Sequence, residues 1–91
     1  MFRIWAKEWK NNHLLRDIVI ENGEDDTRTH KVFAAVDRVC EEFDLGHPIW
    51  LDNNINEFKR HAKVRFYGDS FVEKTEFDYL ELEVIEEDDI Y

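Results

Sequence analysis

A nucleophile needs a thiol, hydroxyl or amine beside a base, and this chain offers little of either. Cys40 is its one cysteine and Ser70 its one serine. Neither sits in a nucleophile elbow, and Cys40 falls on an apolar helical stripe, where an inert buried thiol is expected rather than a thiolate paired with histidine. His13, His30, His47 and His61 lie on separate segments, with no pair at the i, i+4 spacing of a zinc site. Asp52-Asn53-Asn54-Ile55-Asn56 has the opening rhythm of a calcium loop. Glu57 stands where that loop needs glycine, however, and Lys63 where it needs its last glutamate. Gly23, Gly46 and Gly68 are isolated, so no glycine-rich phosphate cradle forms. These residues predict no catalytic set, no metal and no cofactor. An enzyme would need an acid and a base gathered from the scattered histidines and carboxylates around a concave pocket.

Charge says more. The net charge is −10 with histidines neutral, from 12 Lys and Arg against 22 Asp and Glu. Residues 1–68 hold 11 basic and 12 acidic side chains, whereas residues 69–91 hold Lys74 against ten carboxylates. Acidity is thus a C-terminal property, and a segregated charge can steer a charged partner to one face. Glu81 and Glu83 fall about 7 Å apart on one face of a strand, by strand geometry. Glu86, Glu87, Asp88 and Asp89 continue the run. Carboxylates so spaced on a rigid scaffold can imitate a phosphate backbone, or they can simply solubilise the end of the chain. The opposite pole is the run 58–66. There Lys59, Arg60 and Lys63 project from a helical arc opposite Phe58 and Ala62, with Arg65 nearby. Such a cluster either binds nucleic acid non-specifically or balances the acidic segment within the same domain. Trp5, Trp9 and Tyr79 form an aromatic strip if the last strand pairs beside the first. That strip would anchor a protein partner or stack bases, unless another segment or a second copy covers it.

The elements that must position these groups are legible from periodicity. Segments 2–9 and 14–21 are rich in β-branched and aromatic residues and read as a hairpin. A three-residue loop at Asn11, Asn12 and His13 sets Glu8 opposite Arg16, Lys7 opposite Asp17 and Arg3 opposite Glu21, whereas a two-residue loop sets Lys7 against Arg16. The charges therefore favour the longer loop. Ile4, Ala6, Ile18 and Ile20 then share one face, and Trp5, Trp9, Leu15 and Val19 the other. A first helix follows a cap at Asp26, Thr27 or Thr29, buries Val32, Val36, Val39, Cys40 and Phe43, leaves Lys31 on its polar arc and closes at Gly46. A second helix starts at Asp52 or Asn53, carries Ile55, Phe58, Ala62 and Phe66 on its buried stripe, and ends at Gly68-Asp69. Segment 77–86 alternates as a strand, with Leu80, Leu82 and Val84 inward. The order ββααβ predicts an α+β domain, with an antiparallel sheet of about three strands and both helices on one face. The domain covers 1–85, and 86–91 form an acidic tail.

Ninety-one residues suffice for one compact core. One cysteine forms no internal disulfide, no apolar run spans a membrane, and charges interrupt the N-terminus as no signal peptide allows, so a cytoplasmic setting is expected. The run Phe43-Asp44-Leu45-Gly46-His47-Pro48-Ile49-Trp50-Leu51, with Glu57-Phe58-Lys59-Arg60-His61 and Phe77-Asp78-Tyr79-Leu80-Glu81, resembles a family of short uncharacterised proteins of clostridia-like bacteria. The resemblance covers about the second half of the chain. It implies a bacterial origin and brings no catalytic residue with it. In size, acidity and lack of catalytic motifs the chain also looks like small acidic inhibitors carried by phages or mobile elements, including some anti-CRISPR proteins, a likeness of class and not of motif.

The expected function is a non-enzymatic acidic protein-binding module, in its sharpest form a nucleic-acid mimic that inhibits a nucleic-acid-handling protein. Its partner would present a basic surface to Glu81, Glu83, Glu86, Glu87, Asp88 and Asp89, with Trp5, Trp9 and Tyr79 as the anchor. The alternatives are a nucleic-acid binder using Lys59, Arg60, Lys63 and Arg65, and a bacterial adaptor or self-associating protein such as a homodimer.

Overall fold

The computed structural model describes residues 1–88; the end of the expected tail, including Asp89, lies outside the described residues. The fold is α+β, with four antiparallel strands and two helices where about three strands were expected. In chain order the elements are β1 (Phe2–Lys10), β2 (His13–Asn22), α1 (Arg28–Phe43), α2 (Asp52–His61), β3 (Lys63–Tyr67) and β4 (Tyr79–Glu86). The sheet order is β2-β1-β4-β3.

The extra strand is β3, cut from residues that helical spacing assigned to α2. Lys63-Val64-Arg65-Phe66-Tyr67 alternates with period two, which buries Val64 and Phe66 and turns Lys63, Arg65 and Tyr67 the other way. Pairing then sets Lys63 opposite Glu83 and Arg65 opposite Glu81, which a continued helix would forgo. The basic helix over 58–66 is therefore corrected to a helix end, Phe58 to His61, followed by a strand.

The chain turns at Ala62, which is left-handed at φ 53°, ψ 29°, and whose N–H donates to the Phe58 carbonyl. An L-residue pays about 1–2 kcal/mol there, part of which glycine gives back through its freer unfolded chain. Ala62→Gly is expected to stabilise the protein by about 0.5–1 kcal/mol, read as a higher urea midpoint. A lower midpoint would show that the Ala62 methyl is worth more than the strain.

The hairpin combines the expected register with a different loop. Glu8 pairs with Arg16, Lys7 with Asp17 and Arg3 with Glu21, yet Trp9 faces Leu14 and Lys10 faces His13. The loop is thus the two residues Asn11 and Asn12, at φ 50° and 64°, as a type I′ turn requires. Leu15 is the extra residue of a bulge that restores the charge register, so it leaves the face it was expected to share with Trp5 and Trp9.

Helix ends also differ in detail. Thr27 caps α1, accepting from the His30 N–H at 3.2 Å. Asp44, and not Gly46, takes the left-handed position that closes it. Leu51 precedes α2, and its N–H donates to the Asn54 side chain at 3.0 Å. Asn54, 4% exposed, also accepts from the Ser70 hydroxyl and donates to the Arg65 carbonyl, tying α2 to β3 and to the 3-10 turn Gly68–Ser70.

Both helices pack on one face of the sheet. Val32, Ala35, Val36, Val39, Cys40 and Phe43 of α1, with Phe58 of α2, meet Phe2, Ile4, Ala6, Ile20, Val64, Phe66, Leu80 and Leu82. Ile55 remains exposed, so the buried stripe of α2 is narrower than expected. No helix among the described residues is long and apolar enough to cross a membrane.

Candidate functional site

The sheet face away from the helices carries rows of side chains set by the strand registers. One row reads Asp17, Lys7, Glu81, Arg65 across all four strands, alternately negative and positive. Lys7 Nζ lies 3.1 Å from Glu81 and 3.0 Å from Glu83, and Arg65 Nε lies 3.0 Å from the other oxygen of Glu81. Glu81 is only 4% exposed and Lys7 6%. Lys7 also sits 3.9 Å over the Trp5 ring and Arg65 4.8 Å over Tyr79, so aromatic groups flank the ion pairs. The next row is Leu14, Trp9, Tyr79, Tyr67, with Trp9 and Tyr79 half-buried and Leu14 and Tyr67 exposed.

Burial alone would push the Glu81 carboxyl up, but hydrogen bonds from Arg65 and Lys7 outweigh it and hold the group below the usual carboxylate range. Burial likewise works against the Lys7 ammonium, and hydrogen bonds to Glu83 and Glu81 hold it above its ordinary value.

Each described member of the acidic run meets a cation. Beyond Glu81 and Glu83, Glu86 pairs with Arg3 at 2.6 Å, Glu87 with Arg28 at 2.6 Å and Asp88 with Lys31 at 2.6 Å. The Met1 ammonium joins Glu86 and Asp88. Glu81, Glu83, Glu86, Glu87 and Asp88 are thus tied into the fold instead of forming an unpaired acidic face: β1 and β3, which flank β4, bring Arg3, Lys7 and Arg65 to its carboxylates, and the start of α1 brings Arg28 and Lys31 to the two residues that follow it. Lys31, expected on the polar arc of α1, is instead buried and paired with Asp88. The balancing cations are Arg3, Lys7, Arg28, Lys31 and Arg65, of which only Arg65 belongs to the basic run. Lys59 and Arg60 remain on α2, and neither makes an ion pair among the described residues. Pairing of the last strand with the first was expected; the signal that was missed is its register, which sets Lys7 opposite Glu81.

Three carboxylates without an ion pair gather elsewhere. A cleft of about 770 Å³ opens where the end of α1 meets the bulge of β2 and the connection from β3 to β4. Asp44, Glu73 and Glu76 line it together with Lys74, and none of the four makes an ion pair among the described residues, so the carboxylates outnumber the cation. An adjoining hollow adds Glu41. Val72, 90% exposed, and half-exposed Leu15 supply apolar surface, with Phe71 and Phe77 beneath. At the cleft wall Arg16 grips Glu8 with two hydrogen bonds, of 2.9 and 3.0 Å. It also donates to the Phe43 carbonyl at 2.8 Å and stacks on the Phe43 ring. Glu8 is therefore held by Arg16, and Arg16 by Glu8 and the Phe43 carbonyl. Nothing in the order of residues 41–45 and 71–77 announced this meeting.

Cys40 is buried, and burial, aided by Asp37, pushes its thiol up to about 11, far from a reactive thiolate. His30 pairs with Asp26 and His47 with Asp37, while no group of three or more His, Cys, Asp or Glu among the described residues could hold a metal. The chain was compared with protein-family models, curated proteins and solved structures, and none of them matches it.

Proposed function

We propose that the chain is a non-enzymatic acidic module that binds a basic surface of a partner protein, acting there as an inhibitor or regulator. The observation that carries this reading is the cleft, where unpaired carboxylates rim exposed apolar side chains. Charge there steers a cationic partner, and the apolar groups supply the desolvated contact that charge alone lacks. The working carboxylates in this reading are Asp44, Glu73 and Glu76, because the run from Glu81 to Asp88 is already occupied by the protein's own cations. A partner that handles nucleic acid is the sharpest form, since such proteins expose basic grooves. A direct grip on nucleic acid by Lys59, Arg60, Lys63 and Arg65 has less support. The four cations are divided between α2 and β3, and Arg65 is engaged by Glu81.

The test is capture of partners from bacterial cytosol on the tagged protein, with nuclease treatment, at about 0.1 M and 1 M salt. The wild type is expected to retain a basic protein at low salt and to release it at high salt. The variant Asp44→Asn, Glu73→Gln, Glu76→Gln should lose that protein, while Glu86→Gln, Glu87→Gln should keep it. Asparagine tolerates the left-handed backbone at 44, so the fold is preserved. Retention by the first variant, or recovery of nucleic acid alone, would refute the reading.

A further inference from the structure

β2 is an edge of the sheet, ten residues long and exposed along most of its length. Edge strands offer unpaired backbone groups, and proteins usually blunt them by shortness, charge, proline or a covering segment. The other edge, β3, follows that rule: it has five residues and carries Lys63 and Arg65. β2 does not. It holds no lysine or proline, its bulge at Leu15 disturbs only one end, and Ile18-Val19-Ile20 is uncharged. Its two central charges are turned back into the protein. Arg16 is held by Glu8 and the Phe43 carbonyl, and Asp17 accepts from the Trp5 indole at 2.8 Å.

From this edge we infer that two copies of the chain pair antiparallel through β2, joining their sheets about a two-fold axis at Ile18. The partner is a second copy because the strand's charges and its bulge together leave a single self-complementary register. A two-fold axis perpendicular to the sheet keeps the helix-covered faces on the same side, so each residue must oppose one of its own face and the axis must pass through a residue. An axis at Arg16 sets two arginines together, one at Asp17 sets two aspartates together, and one at Val19 twice opposes Asp17 to Glu21. An axis at Ile20 leaves only the end of the strand paired, and one at Leu15 falls on the bulge, where the ladder is broken. With Ile18 on the axis, Asp17 faces Val19 of the second copy and Arg16 faces Ile20, with no like charges opposed. This pairing does not depend on the cleft reading, and its test does not involve the cleft.

The experiment is sedimentation equilibrium of the full chain from about 1 μM to 1 mM, where mass action would reveal assembly. The wild type should approach twice its 11.1 kDa mass. Val19 is exposed and sits opposite Asp17 in this register, so changes of charge there act on the interface and leave the core alone. Val19→Asp should weaken the dimer about tenfold through two new like-charge contacts, while Val19→Lys should hold or tighten it and make it salt-sensitive. Circular dichroism of both variants should match the wild type, which separates a lost interface from a lost fold. A wild type that remains at 11.1 kDa throughout would overturn the proposal, and so would Val19→Asp and Val19→Lys variants that shift alike.

Discussion

Glu81→Ala should cost about 3 kcal/mol of folding stability, the low end of the 3–5 kcal/mol expected when one partner of a buried ion pair is removed. The low end applies because Lys7 would keep Glu83, 3.0 Å away. For a domain of this size the loss corresponds to a fall in melting temperature of roughly 12–24 °C. The double replacement Lys7→Met, Glu81→Leu should lie within about 1 kcal/mol of wild type, since a well-packed apolar pair often matches a buried ionic one. Urea unfolding followed by circular dichroism measures both. A single-variant loss under about 1 kcal/mol would place Glu81 among ordinary surface charges.

The same contacts set a pH dependence. The Glu81 carboxyl is held below its unfolded value, so its contribution is present above about pH 4.3 and is lost as pH falls through the depressed folded value. The Lys7 ammonium is held above its unfolded value, so its contribution is present below about pH 10.4 and is lost as pH rises through the raised folded value. Stability from these contacts should therefore form a plateau between roughly pH 5 and 10, with both flanks shallower in the double variant.

Phe66→Ala should be the most damaging change in the core, at about 3–5 kcal/mol. Phe66 is fully buried, stands opposite Leu80 and packs edge-to-face on Trp50 with ring centroids 4.8 Å apart. Against a total stability of about 5–15 kcal/mol, that loss leaves a marginal fold. Trp50 also loses a neighbour, so its emission should shift to the red before global unfolding. Phe66→Leu refills most of the space and should cost far less, and equal losses for the two would mean that the site collapses around either side chain.

Local chemistry was readable wherever two neighbouring stretches of chain decide the outcome. Opposite charges on residues 3–8 and 16–21 determined the hairpin register, but the turn was assigned to Asn11, Asn12 and His13, one residue too many. The turn geometry and the bulge follow from a competition that charge counting alone did not resolve. The α1 stripe and its cap at Thr27 were legible because helical spacing repeats over sixteen residues. Over residues 58–66 the same spacing misled. Phe58, Ala62 and Phe66 fit a helix as well as Val64 and Phe66 fit a strand, and a five-residue strand is too short for periodicity to arbitrate.

By itself, then, the order of residues determined an α+β chain, the hairpin register, the first helix and the inward face of the last strand. Only the tertiary structure decided that β3 is a strand, that the carboxylates from Glu81 to Asp88 are matched to Arg3, Lys7, Arg28, Lys31 and Arg65, and that Asp44, Glu73 and Glu76 meet in a cleft. The physical reason is range. A strand's partners and a carboxylate's counter-ion lie tens of residues away in the chain, Lys7 from Glu81 and Lys31 from Asp88, and their meeting depends on which sheet order buries the most apolar surface.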